Sequence, residues 1–160
     1  MAEQTGVLPT PRIESARLLI VAAPFYRSIA DGLIAGARAV LEAGGAEAEV
    51  LEVPGALEIP TAIALASDAG AGADAGAYDG YVALGCVIRG ETTHYETVCE
   101  ESARGLTLLG LRGVAIGNGV LTCETLAQAE ARANPADMDK GGGAAAAALH
   151  LIALRRRFAR

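Results

Sequence analysis

The chain has few of the residues that mark secreted, metal-binding or membrane proteins. Among 160 residues there is no tryptophan, there are two phenylalanines and two histidines, and the three cysteines include no C-x-x-C pair. This cysteine pattern disfavours a disulfide framework and a metal site, and it predicts a reduced, cytoplasmic protein. The N-terminal residues lack an apolar signal core, and no segment has the length and apolarity of a membrane span.

Positive charge is also scarce. The net charge is −6, and the one basic run, 155–157, lies at the C-terminus of a predicted helix, where cations complement the helix dipole. Without a basic face or interleaved aromatic residues, nucleic-acid binding is not expected. Hydrophobic residues make up 52% of the chain, many of them Ala, so helices should pack close to strands. We expect a flexible N-terminal arm at 1–14 and one domain at 15–160.

Apolar stretches of strand and helix length alternate along the chain. Strands are predicted at 17–23, 46–53, 79–88 and 114–121, and helices at 28–43, from about 58, at 93–109, 124–133 and 140–158, with a flexible Gly-, Ala- and Asp-rich loop at 67–77. Such alternation predicts an α/β fold with a parallel sheet covered by helices on both faces. Ligands bind such sheets beyond the strand C-termini, so we expect the segments 25–26, 54–58, 89–94 and 119–122 to converge at one edge.

Residues 85–96, Gly-Cys-Val-Ile-Arg-Gly-Glu-Thr-Thr-His-Tyr-Glu, combine several features in one short stretch. A buried strand leads into a polar turn, and Thr93 and Glu96 have capping-box spacing, which predicts a helix that begins at Thr93. The N–H groups at a helix start lack helical acceptors and lie at the positive end of its dipole, so residues 90–93 are a candidate anion site. His94 would place a titratable imidazole beside that anion. An ordinary strand–turn–helix junction with a surface histidine fits the same pattern.

Four other side chains near this edge allow two interpretations each. Phe25 follows a strand and a proline, and its ring would either stack on a flat heterocycle or close over the core. Glu58 would either accept hydrogen bonds from a polyol or amine, or favour its helix dipole. Arg132 would either pair with a phosphate or complement a helix end, and Lys140 is ambiguous in the same way. The residues alone therefore predict a small-molecule site with an anion pocket.

The segments V-P-G-A-L-E-I-P at 53–60 and G-C-V-I-R-G-E-T-T-H-Y at 85–95 are the most distinctive in the chain. Together with G-V-L-T at 119–122, Q-A at 128–129 and K-G-G at 140–142, they resemble the lumazine synthase family over about 15–158, in the same order. This family catalyses the penultimate step of riboflavin biosynthesis. The resemblance implies a flavodoxin-like three-layer sandwich with a four-stranded parallel sheet, and a homopentamer whose sites are shared between neighbouring subunits.

The resemblance also implies a reaction and a set of site residues. The transferase condenses 5-amino-6-ribitylaminouracil with 3,4-dihydroxy-2-butanone 4-phosphate to 6,7-dimethyl-8-ribityllumazine, phosphate and water, without a metal or organic cofactor. His94 would be catalytic and shuttle protons. The positions expected to contact the pyrimidine or the ribityl chain are Phe25, Ala56, Leu57, Glu58, Val87, Ile88, Asn118 and Lys140. The positions expected to bind phosphate are Glu91, Thr92 and, from the neighbouring subunit, Arg132.

The chain departs from the family pattern at three places. Tyr26 stands where an asparagine is usual, and Asn118 stands where an aromatic residue is usual. The turn at 134–141 lacks the glycines of the capsid-forming members, which favours pentamers or paired pentamers over a sixty-subunit shell. Two other functions were weighed: a lumazine- or riboflavin-binding protein with little turnover, and a flavodoxin-like signalling domain. The signalling domain is disfavoured, because the strand ends lack an acidic phosphoacceptor cluster.

Overall fold

The computed structural model describes residues 6–70 and 78–159. It contains a four-stranded, all-parallel sheet in the order β2-β1-β3-β4. The strands are β1 (Arg17–Ala22), β2 (Glu47–Glu52), β3 (Gly80–Ile88) and β4 (Ile116–Cys123). β3 is central and its first six residues are buried, as its apolar sequence on both faces predicts. β2 lies at an edge and is largely exposed, in keeping with its alternating sequence.

The helices cover both faces of the sheet, and together with the sheet they make three layers. They are α1 (Arg27–Ala43), α2 (Glu58–Gly70), α3 (His94–Leu111), α4 (Leu126–Ala133) and α5 (Lys140–Phe158). Strand residues alternate between the two layers: Leu18 and Ile20 pack with α1, α4 and α5, whereas Leu19 and Val21 pack with α2 and α3. The fold is therefore the flavodoxin-like α/β sandwich expected. None of the described helices is long and apolar enough to cross a membrane.

Small residues bring α5 unusually close to its neighbours. A Cβ atom added to Gly117 of β4 would overlap the backbone oxygen of Ala144 in α5, and one added to Gly141 would overlap the backbone oxygen of Leu33 in α1. Ala144 and Ala145 are buried at the same packing surface. The glycine and alanine content thus determines how tightly α5 sits between α1 and the sheet.

Several boundaries differ from those predicted. Helix α2 continues to Gly70, so the loop predicted at 67–77 was wrong for residues 67–70, because the alanine-rich sequence before Gly70 favours a helix; residues 71–77 lie outside the described part. Strand β4 begins and ends two residues later than predicted, because its pairing with β3 runs to Cys123. The boundary at residue 14 stays a prediction, although Ile13 is buried and its N–H donates to Gly44 O at 2.8 Å.

The start of α3 also differs in its chemistry. Thr93 is the N-cap residue, but its backbone is helical (φ −71°, ψ −1°) and its side chain makes no capping bond. The capping box predicted for Thr93 and Glu96 is therefore wrong, because the Glu96 carboxylate bonds to Arg89 instead. The His94 N–H donates to Thr92 Oγ1 at 3.3 Å.

We expect Gly117→Ala to lower the free energy of unfolding by about 1–3 kcal/mol, because the new methyl group has no room against α5. Gly110→Ala is the matched control: its Cβ would meet nothing within 4 Å, and alanine favours the helix that contains it. Urea unfolding at equal protein concentration measures both. Equal stability of the two variants would contradict the close-packing argument.

Candidate active site

A cavity of about 560 Å³ opens at the C-terminal ends of β1 and β3, beside the segment that follows β2. Its walls are mostly apolar. The residues that line it are Phe25, Tyr26, Pro54, Gly55, Ala56, Leu57, Glu58, Cys86, Val87, Ile88, Gly90, Thr92, His94, Tyr95 and Val98. Three of the four segments expected to converge, 25–26, 54–58 and 89–94, do so here, since parallel strands end at the same edge.

Phe25 forms an exposed wall of this cavity. Its side chain is 75% exposed, which is unusual for a large apolar ring in a folded chain. The neighbouring Tyr26 ring meets it edge-to-face, with centroids 5.0 Å apart and planes at 71°. The interpretation of Phe25 as a plug over the core is therefore excluded, and one face of the ring is free to stack on a flat ligand.

Residues 90–93, called here the 90–93 loop, have unpaired backbone donors, and Gly90 and Thr92 of this loop line the cavity. Across 6–70 and 78–159, no acceptor is bonded to the N–H groups of Gly90, Glu91, Thr92 or Thr93. These groups precede the eighteen-residue helix α3, whose dipole is positive at this end. His94 follows immediately and lines the same cavity. Free donors, a helix N-terminus and an imidazole are thus adjacent, as their spacing in the sequence predicts.

Arg89 ties the 90–93 loop to its surroundings. Its Nε donates to Glu124 Oε2 at 2.7 Å, its Nη1 donates to Glu96 Oε1, and its guanidinium lies 4.4 Å from the Tyr95 ring centroid. The hydrogen bonds that Arg89 donates to Glu124 and Glu96 raise the pKa of Arg89, and Arg89 lowers the pKa of Glu96. Arg89 therefore stays a cation whose charge is already matched by two carboxylates.

Two thiols near the cavity are unsuited to nucleophilic chemistry. Burial, followed by the neighbouring Cys123, raises the pKa of Cys86 to about 12, and burial also raises the pKa of Cys123. A thiol reacts as its thiolate, which is scarce near neutral pH when the pKa is that high. Among the side chains lining this cavity, His94 is the group best suited to move protons.

A second cavity, of about 400 Å³, lies where β4 meets α5 and the end of α4. Asn118, Thr122, Arg132 and Lys140 supply its polar lining. Arg132 donates to Gln128 O at 3.0 Å, and within the described residues neither Arg132 nor Lys140 forms an ion pair. The lining of this cavity shares no residue with that of the first.

A family profile described as 6,7-dimethyl-8-ribityllumazine synthase matches residues 15–156. The chain belongs to this family. It is 58% identical over 143 residues to the 6,7-dimethyl-8-ribityllumazine synthase of Novosphingobium aromaticivorans, covering 89% of this chain and 99% of the relative. The enzyme of the same name from Erythrobacter litoralis is 59% identical over 143 residues, covering 89% and 98%, and that from Methylobacterium radiotolerans is 57% identical over 147 residues, covering 91% and 86%.

The structure separates the site residues that the lumazine synthase resemblance implied into two groups. The first cavity brings together Phe25, Ala56, Leu57, Glu58, Val87, Ile88, Thr92 and His94. The second contains Asn118, Arg132 and Lys140. Glu91 lies in the 90–93 loop but does not line the first cavity. The fourth segment expected at the common edge, 119–122, lines the second cavity instead, because it lies within β4, which continues to Cys123, rather than after the strand.

Several cavity residues had no role in the sequence prediction. Tyr95 and Val98 line the cavity from α3, and Tyr26 supports Phe25. Tyr26 was expected at this edge as part of segment 25–26 and as a departure from the lumazine synthase pattern, but it was assigned no contact. Helical spacing was the available signal, since Val98 follows His94 by four residues and Tyr95 by three, and residues so spaced are neighbours on a helix.

Proposed function

We propose that this chain condenses 5-amino-6-ribitylaminouracil with 3,4-dihydroxy-2-butanone 4-phosphate to 6,7-dimethyl-8-ribityllumazine, with release of phosphate and water. The observation that supports this most directly is the cavity in which His94 adjoins the unpaired N–H groups of the 90–93 loop. Phe25 offers a ring face for the pyrimidine, and Glu58 lies across the cavity as an acceptor for the ribityl chain or ring edge. The family and the names of its members agree with this assignment.

The chemistry requires a place for a leaving phosphate. The first amine adds to the ketone, phosphate departs, and the second amine closes the ring. Charge builds on the departing oxygens, so donors fixed before the reaction lower the barrier. Gly90 and Thr92 line the cavity and their unpaired N–H groups can donate hydrogen bonds to these oxygens, with Arg132 of a neighbouring subunit as a forked donor.

The same steps also move protons at nearly every stage. Addition of an amine, loss of water and ring closure each need a group that takes and returns a proton near neutral pH. An imidazole is suited to this, and His94 lies one residue beyond the 90–93 loop. Holding two substrates side by side in one cavity supplies a further part of the acceleration.

The proposed site includes two subunits. Each chain has a cavity lined by Phe25 and His94, and a separate one lined by Arg132 and Lys140, which form no ion pair with any residue of 6–70 or 78–159. A head-to-tail contact brings the first cavity of one copy against the second cavity of the next, and such contacts close into rings. We propose the homopentamer that the family implies. The three free cysteines agree with a reducing, cytoplasmic location.

His94→Ala should slow turnover by about ten- to ten-thousandfold with little change in substrate binding, because proton transfer is lost. The matched control is His150→Ala, which removes the other histidine from α5, away from both cavities. Formation of lumazine fluorescence from the two purified substrates measures the rate and also separates an enzyme from a binding protein. Full activity of His94→Ala would exclude proton transfer by His94.

Arg132→Ala should raise the KM for the phosphate-bearing substrate by about tenfold or more, and leave the pyrimidine almost unaffected, because a charged hydrogen bond to phosphate is lost. Arg104→Ala is the control: it removes the same charge from an exposed pair with Glu101 on α3. Inorganic phosphate should compete with the same substrate in the unaltered protein. Equal losses for both substrates would exclude Arg132 as the phosphate partner.

We expect pentamers, or paired pentamers, rather than a shell. Exposed leucines on α2 and α3, among them Leu65, Leu108 and Leu111, offer apolar surface for contacts between copies. The turn before α5 contains an internal hydrogen bond, from Ala136 N–H to Asn134 Oδ1 at 2.9 Å. It also lacks the glycines of the capsid-forming members. Mass-resolved light scattering distinguishes the cases, and a sixty-subunit particle would contradict the argument from the turn.

A further inference from the structure

The first turn of α3 contains Glu96, whose spacing from Thr93 would let its carboxylate bind a backbone N–H group of the 90–93 loop. In a capping box, the carboxylate three residues after the N-cap reaches back and accepts from the N-cap backbone N–H. Thr93 and Glu96 have this spacing. A Glu96 carboxylate in that position would occupy a donor of the loop and place a negative charge where the proposed function requires a phosphate.

Glu96 is held elsewhere. Its Oε1 accepts from Arg89 Nη1, while its Oε2 is buried and has no hydrogen-bond partner among the described residues. The Glu96 side chain as a whole is 44% exposed, so the charged hydrogen bond from Arg89, which lowers the pKa of Glu96, is the interaction that keeps it in this position. The N–H of Thr93, its partner in a capping box, is also left without an acceptor.

Arg89 is itself fixed from three directions. Its backbone N–H donates to Cys123 O at 2.9 Å, its Nε donates to Glu124 Oε2 at 2.7 Å, and its guanidinium lies over the Tyr95 ring. These contacts tie it to the end of β4 on one side and to α3 on the other. A planar guanidinium can bind two carboxylates at once, which a lysine cannot do with the same geometry.

We propose that Arg89 is a positioning residue that holds the Glu96 carboxylate away from the backbone N–H groups of the 90–93 loop and so keeps the loop open for phosphate. The inference rests on the proposed function, since it assigns the loop the phosphate of the butanone substrate. Arg89 is assigned no contact with that phosphate, because its Nε and Nη1 donate to Glu124 and Glu96 and its charge is matched by these two carboxylates. When Arg89 is removed, Glu96 becomes an internal competitor of the phosphate.

The test measures the Kd of inorganic phosphate by titration calorimetry, and the KM and kcat for both substrates, on the assembled protein. Arg89→Met should weaken phosphate binding by roughly fivefold, the factor that corresponds to a typical N-cap contribution. The KM for the phosphate-bearing substrate should rise in parallel, with the KM for the pyrimidine unchanged. Adding Glu96→Ala to Arg89→Met should restore phosphate binding.

Glu124→Ala in the Arg89→Met background is the matched control. It removes the other carboxylate bound to Arg89 and restores the same net charge, but it leaves Glu96 free to block the loop. Arg89→Lys is a milder second variant that keeps the charge and loses the fork. It should also weaken phosphate binding, and Glu96→Ala should again restore it.

Each outcome decides the inference. Recovery with Glu96→Ala alone supports it. Equal recovery with Glu96→Ala and Glu124→Ala would show a simple charge effect and overturn it. No recovery with either, or unchanged binding in Arg89→Met and Arg89→Lys, would also overturn it while leaving the phosphate site intact. Absence of phosphate binding by the unaltered protein would instead overturn the proposed phosphate site, a result that is distinct from the others.

Discussion

The rest of the site depends on a row of backbone N–H groups that the fold leaves without acceptors. They arise where central strand β3 ends and α3 begins, between Ile88 and His94. Residues 90–93 are exposed and precede the N-terminus of α3, so these N–H groups are available to bind an anion. The imidazole of His94, the Phe25 wall and the apolar cavity are all arranged around it.

A single chain supplies this donor row and the cations of the second cavity at two different places. The donor row lies beside the cavity at the ends of β1 and β3, whereas Arg132 and Lys140 lie in the cavity between β4 and the start of α5. The order β2-β1-β3-β4 puts β4 at one edge of the sheet, where its exposed residues, including Asn118, are accessible to a neighbouring copy. Sheet topology therefore leaves the second cavity accessible for the shared site that we propose.

Much of the fold and part of the site could be predicted from the sequence. Alternating apolar strands and periodic helices are local patterns, and α5 begins and ends at the predicted residues. The segments around Phe25, Glu58 and His94 could be placed together because parallel strands end at one edge. The Glu96 partner could not be predicted: capping-box spacing is a local rule, whereas the Arg89 contact depends on where Glu124 and Tyr95 lie in the folded chain.

The most direct test of the shared site is complementation between two impaired variants of the chain. His94→Ala and Arg132→Ala subunits are co-expressed, and turnover is measured at a low concentration of the phosphate-bearing substrate. In a head-to-tail ring assembled at random from equal amounts, about a quarter of the sites combine an intact His94 with an intact Arg132 from the neighbour. The account predicts recovery to about that fraction of unaltered activity. Activity no higher than that of the two variants measured separately would contradict it.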